Sequence, residues 1–124
     1  MVIFIKTKSS KNLGFIGDTL EKIRNFPTAV SKRIGYALRY AQCGEKHEHA
    51  KPFKGLGPGN FEIVEDFSGN TYRAVYTVRF ENTVYVLHAF QKKSKTGIKT
   101  PQKEIDLIKE RYKIAKERDD EEKK

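Results

Sequence analysis

Hydrophobic positions follow a helical period in the first half of this chain and a strand period in the second. Val30, Ile34, Ala37, Leu38 and Ala41 recur at intervals of three and four, one face of a 3.6-residue repeat. Pro27 suits the first turn of that helix, where its missing N–H has no partner to lose, and Gly44 is a natural terminator. A shorter helix is expected before it. Asp18-Thr-Leu-Glu21 has the spacing of a capping box, and the helix it opens runs to about Phe26. The two segments predict a helical hairpin.

From residue 61 the period changes to two. Phe61–Asp66, Thr71–Phe80 and Thr83–Phe90 are rich in β-branched and aromatic residues. Ser68-Gly-Asn70 and Glu81-Asn82 separate them, and connections so short allow only antiparallel neighbours. Thr100-Pro101 then starts a last helix with Ile105, Ile108, Tyr112 and Ala115 on one face. Met1–Lys6 is a further candidate strand. The fold class is therefore α+β, an N-terminal helical hairpin and a C-terminal helix packed on one face of an antiparallel sheet, whose other face is open to a ligand. The 124 residues suit a single domain, 1–124, with its core at about 15–116 and a charged tail at 117–124.

Composition narrows the function. Leu, Ile, Val and Phe make up 25% of the chain, enough for a modest core despite 33% charged residues. A formal charge of +9 favours a polyanionic partner. One cysteine, Cys43, excludes an internal disulfide. The apolar start is too short to span a bilayer and lacks the basic region of a signal peptide, so a cytoplasmic protein with no membrane partner is expected.

The positive charge is concentrated. Residues 67–103 carry Arg73, Arg79, Lys92, Lys93, Lys95, Lys99 and Lys103 against the single acid Glu81. Alternation puts Tyr72, Ala74 and Tyr76 on the helix-facing side of the middle strand, so Arg73 and Arg79 point from the open face. An arginine there can hold a phosphate with two parallel donors. The loop 91–101, with Lys92, Lys93, Lys95 and Lys99 and no acid, adds a phosphate-binding surface. The glycines at 55, 57 and 59 match no nucleotide-binding signature and read as a mobile connector, with Lys51 and Lys54 at its base. Cys43, His47 and His49 lack a fourth ligand and a zinc spacing, so neither metal nor cofactor is expected. His88 alternates with Val84, Val86 and Phe90 and reads as a structural histidine, with a supporting catalytic role left open.

Several stretches together resemble a known family. Phe26-Pro, Ile34-Gly-Tyr-Ala-Leu38, Lys51-Pro-Phe-Lys-Gly55, Tyr72-Arg-Ala-Val-Tyr76 and above all Val84-Tyr-Val-Leu-His-Ala-Phe-Gln-Lys-Lys-Ser94 with Thr100-Pro101 are similar to the phage-derived HigB-like toxins of the RelE/ParE superfamily. The resemblance implies a toxin of a toxin–antitoxin module, an endoribonuclease that cleaves mRNA on the translating ribosome without a metal. It implies a helix-turn-helix antitoxin as partner, beside the ribosome and mRNA. It places the phosphate-contacting arginine at Arg73 and a basic residue at Lys92 or Lys93. The base is Glu62 or Glu65, with Glu62 favoured, and the acid lies among Lys92, Lys93 and His88. Lys54, Arg79, Lys95 and Lys99 are expected to bind RNA. The superfamily also holds ParE-like gyrase inhibitors, which do no chemistry, and a non-catalytic RNA-binding module is the third alternative.

Overall fold

The computed structural model describes residues 10–93 and 100–123, and of Lys93 the backbone. Its elements run β1 (Asn12–Phe15), α1 (Thr19–Arg24), α2 (Thr28–Gln42), β2 (Ala50–Pro52), β3 (Asn60–Phe67), β4 (Asn70–Thr77), β5 (Thr83–Lys93) and α3 (Gln102–Glu122). The five strands form one sheet in the order β1-β5-β4-β3-β2. The expected meander is present as β3-β4-β5, and the α+β class holds. The sheet is mixed, because β1 runs parallel to β5 and pairs Leu13 with Val84. The candidate strand Met1–Lys6 lies outside the described residues. Neither β1 nor β2 was expected: four and three residues are too few to display a period, and β2 contains Pro52, tolerated because β2 is an edge.

The two helical layers lie on opposite faces of the sheet, which corrects the expectation of one covered face. On one side Val30, Ile34, Ala37, Leu38 and Ala41 of α2 bury against Ile63, Tyr72, Ala74, Tyr76, Val84 and Val86. On the other, Ile108 and Ala115 of α3 meet Val75, Tyr85 and Leu87, with Ile16 and Phe53 closing the cluster. The second face is apolar enough to need a cover, and α3 supplies it. Its helix continues to Glu122 and takes in most of the charged tail, with Asp119 buried. Among the described residues no helix is long and apolar enough to cross a membrane.

A bulge in β5 sets the site's geometry. Val75 pairs with His88 but Tyr76 pairs with Val86, so Leu87 is an extra residue opposite β4. The insertion turns the strand, and Leu87 and His88 both face α3. His88 therefore does not share the side of Val84 and Val86, as simple alternation proposed.

Two loops frame β3. Ser68 and Gly69 both have positive φ, 50° and 80°, and join β3 to β4 in the two-residue turn whose twist matches a hairpin. The glycine loop before β3 is not a loose connector. Asn60 is buried, and its Nδ2 donates to the carbonyls of Leu56, Gly57 and Pro58 at 3.2, 3.1 and 3.3 Å. Asn60→Ala should lower stability by about 1–3 kcal/mol in denaturant titration, because those carbonyls lose their donor. An unchanged midpoint would show that the loop closes without it.

Candidate active site

An open cleft of about 1020 Å³ lies where α3 begins. One wall is the strand-and-turn segment Lys51–Lys54, and the other is the start of α3 with Thr100, Pro101, Gln102 and Ile105. Glu62 of β3 and Arg73 of β4 form its floor. The pairing register explains why they meet. Glu62 lies opposite Val75 and Val64 opposite Arg73, which makes Glu62 and Arg73 diagonal neighbours on one face of the hairpin.

Arg73 was expected on an open face but is buried, with Nη1 ion-paired to the equally buried Glu62 carboxylate. That contact uses only part of the guanidinium, which has five N–H donors. Arg73 Nε is buried and has no hydrogen-bond partner among the described residues. A guanidinium can only donate, so this N–H calls for an anion or a lone pair from the cleft.

Lys92 joins the pair from β5. It lies opposite Thr71, two residues along from the Phe90–Arg73 pair, and so on the same side of the sheet. Burial pushes the Lys92 ammonium below its ordinary pKa, Arg73 lowers it further, and Glu62 partly offsets both. A lysine so placed gives up its proton more readily than a solvated one. Lys54 is exposed on the cleft wall.

The remaining candidates separate. Lys93 ends β5 opposite Asn70, while Lys95 and Lys99 lie outside the described residues. Arg79 follows the end of β4 and is exposed, lying over Gly57 and Gly59 and outside the cleft lining. Glu65 is on the other face, bound to His49 Nδ1 at 2.6 Å and near Arg33 at 3.8 Å, which takes it out of the cleft as a base. Tyr112 packs against Phe80, with ring centroids 5.7 Å apart. Among the described residues no cluster of three His, Cys, Asp or Glu is arranged to hold a metal ion.

His88 sits behind the α3 wall. Its Nε2 is 2.6 Å from Glu104 Oε1, and its Nδ1 is 3.3 Å from Arg111 Nη1. Arg111 can only donate, so Nδ1 accepts and the neutral ring carries its proton on Nε2, which donates to Glu104. Burial holds His88 below its ordinary pKa against the pull of Glu104, in keeping with a neutral imidazole. Arg111 also donates to the Leu87 carbonyl at 3.2 Å and to Asp18 Oδ1 at 3.0 Å. Asp18 thus makes no capping bond to α1. Burial pushes its carboxyl up, but the hydrogen bond and charge of Arg111 outweigh that and hold it below the usual value. The whole chain of contacts ties the first turn of α3 to the sheet. Gln102, Glu104 and Arg111 carried no functional signal of their own in the sequence, since each acquires its role from a distant element.

Residues 21–113 match the phage-derived protein Gp49-like family. No curated protein matches the chain in sequence. The fold is similar to that of an Escherichia coli RelE toxin mutant solved in the free state, with a TM-score of 0.52 and 22% identity over 69% of this chain and 85% of that one. A toxin–antitoxin complex, RelBE2 of Mycobacterium tuberculosis, aligns with a TM-score of 0.45 and 16% identity over 71% of this chain and 98% of that one. A match across three-quarters of the sequence fixes the family: the chain belongs to the phage-derived Gp49-like proteins, and its cleft is built on a RelE-type fold.

Proposed function

We propose that this protein is the toxin of a type II toxin–antitoxin module and cleaves mRNA on the translating ribosome without a metal. The observation that carries the reading is the buried Nε of Arg73, without a hydrogen-bond partner among the described residues, at the floor of an open cleft. A phosphate supplies the acceptor that this donor lacks, and it competes with Glu62 for Nη1. The carboxylate so released takes the proton of the ribose 2′-OH. The 2′-oxygen then bonds to phosphorus as the bond to the 5′-oxygen breaks, leaving a 2′,3′-cyclic phosphate and a free 5′-hydroxyl. Arg73 faces the charge that builds on the phosphoryl oxygens. Lys92, made more acidic by burial and by Arg73, hands its proton to the departing 5′-oxygen. Glu62 and Lys92 end the step with their protons exchanged, and solvent resets them.

Lys54 and Lys51 suit the flanking phosphates. His88 has both ring nitrogens engaged by Glu104 and Arg111 and acts on the site by holding α3, not as an acid. A helix-turn-helix antitoxin, the ribosome and mRNA are the partners this reading carries, in the cytoplasm.

Primer extension on mRNA from cells induced for the protein should reveal new 5′ ends within translated codons. The ends should disappear when translation initiation on that message is blocked. Growth arrest with intact transcripts overturns the nuclease reading, and DNA cleavage complexes trapped on gyrase would replace it with the ParE-like one.

A further inference from the structure

The helix on the far side of the sheet from the cleft carries a second surface that the cleavage chemistry does not use. Lys32, Gly35, Tyr36, Arg39 and Tyr40 fall at i, i+3, i+4, i+7 and i+8 of α2, one stripe on its outer side. Tyr36 is 60% exposed, and the only other large hydrophobic side chain exposed among the described residues is Ile114 on α3. Its ring meets Tyr40 edge-on at 5.4 Å, and both contact the His47 ring at 5.8 and 5.0 Å. Three rings thus stand together at the surface with no aliphatic side chain exposed among them.

Gly35 is the second observation. It sits in the middle of a 15-residue helix, yet among the described residues, its two chain neighbours and the helix's own nearby backbone aside, no heavy atom lies within 4 Å of where its Cβ would be. Its φ is not in the left-handed region, so nothing in the chain requires a glycine there. Glycine is the poorest helix former after proline, so alanine would serve the helix better. A bare backbone beside an exposed ring is what a close-approaching ligand needs.

We propose that the outer face of α2 is a second RNA-binding surface, on which an unpaired base stacks against Tyr36 over the open backbone of Gly35 while Lys32, Arg33 and Arg39 hold the adjoining phosphates. The side chains choose the ligand class. Docking of a protein helix rests on aliphatic anchors in a groove, which this face lacks, whereas exposed rings between cations are the means by which single strands are bound. The acids on this side, Glu45 and Glu48, lie toward Tyr40 and His49 at the far end of the stripe, and Glu65 is buried beneath Arg33 and His49. The RNA path therefore runs from Arg39 and Tyr36 toward the N-terminal end of α2, away from those acids. The surface shares its ligand class with the cleft reading but none of its residues.

The chain has no tryptophan, so Tyr36→Trp in the full-length protein places a single reporter on the stripe. Titration with a 12-nucleotide 2′-O-methyl oligouridylate, which cannot be cleaved through its 2′ position, should quench that emission. The midpoint should move to higher RNA concentration as salt rises. The quench should persist in an Arg73→Ala/Glu62→Gln background, which leaves no buried charge alone, so the surface survives even if the cleft reading fails. Gly35→Gln, a good helix former whose side chain covers the bare backbone, should weaken binding about 5- to 100-fold, the usual worth of one stacked base. Its melting temperature should hold or rise. Emission indifferent to RNA, a quench lost in the folded Arg73→Ala/Glu62→Gln protein, or unaltered affinity in Gly35→Gln overturns the proposal. Indole emission from the Tyr36→Trp variant that responds only to an added acidic protein overturns it in favour of protein docking.

Discussion

Replacing Arg73 with alanine is expected to lower the RNA cleavage rate by about 10²–10³-fold, the usual effect of removing one preorganised donor from a developing negative charge. The same substitution has a second consequence that must be separated from the first. Glu62 is 5% exposed and its carboxylate is paired with Arg73, so Arg73→Ala leaves a buried charge alone. Breaking such a pair from one side costs about 3–5 kcal/mol. Adding Glu62→Gln removes the orphaned charge and should restore most of that stability, while cleavage stays lost because the base has gone too. Arg73→Lys separates charge from geometry. A lysine can still pair with Glu62, but it lacks the planar fork that reaches carboxylate and phosphate together. It should fold well and still cleave at least about tenfold more slowly. Cleavage by Arg73→Ala at the wild-type rate, measured on protein shown to be folded, would remove Arg73 from the site and the cleft from the mechanism.

Much of this arrangement was legible in the sequence, and what was not has identifiable causes. The α2 stripe was readable because five apolar positions on a 3.6-residue period leave few alternatives, and all five are buried. Arg73 was readable as a chemistry-bearing residue, but its burial was not. Taking Ser68-Gly-Asn70 as the connection hides the register, whereas the observed two-residue turn Ser68-Gly69 pairs Phe67 with Asn70 and thereby brings Glu62 and Arg73 onto one diagonal. The side of His88 depended on one inserted residue, Leu87, that no alternation rule anticipates. The cover over the second face was missed because β4 was judged alone. Tyr85 and Leu87 of β5 join Val75 of β4 in the apolar surface that α3 covers. The contact between Asp18 and Arg111 spans 93 residues of sequence, and only the folded topology brings the two together.

The His88 network makes the cleft sensitive to acid. The cleft wall at Thr100–Ile105 is the start of α3, and Glu104 in its first turn is held by His88 Nε2. In the neutral ring, Nδ1 accepts from Arg111, but a protonated ring would turn an N–H toward that guanidinium, donor against donor. The folded-state pKa of His88 lies below its ordinary value of 6.5, chiefly through burial. The unfolded chain therefore binds the proton more readily than the folded one. The stability held by the neutral ring is fully present above about pH 6.5 and is lost as the pH falls below it, levelling off once the pH passes the lower folded-state value. His88→Gln tests this directly. The glutamine amide can donate to Glu104 as Nε2 does and has nothing to titrate, while Arg111 keeps Leu87 and Asp18. That variant should fold with a flatter stability profile between pH 7 and 5 and retain cleavage at neutral pH. His88→Ala, which leaves Glu104 and Arg111 each short of a partner, should lose about 2–4 kcal/mol and raise the KM for RNA more than it lowers kcat. If His88→Gln kept the full acid dependence of the wild type, the titrating group would lie elsewhere. A His88→Ala variant with cleft kinetics unchanged would mean that α3 keeps its place on the apolar contacts of Ile108 and Ala115 alone.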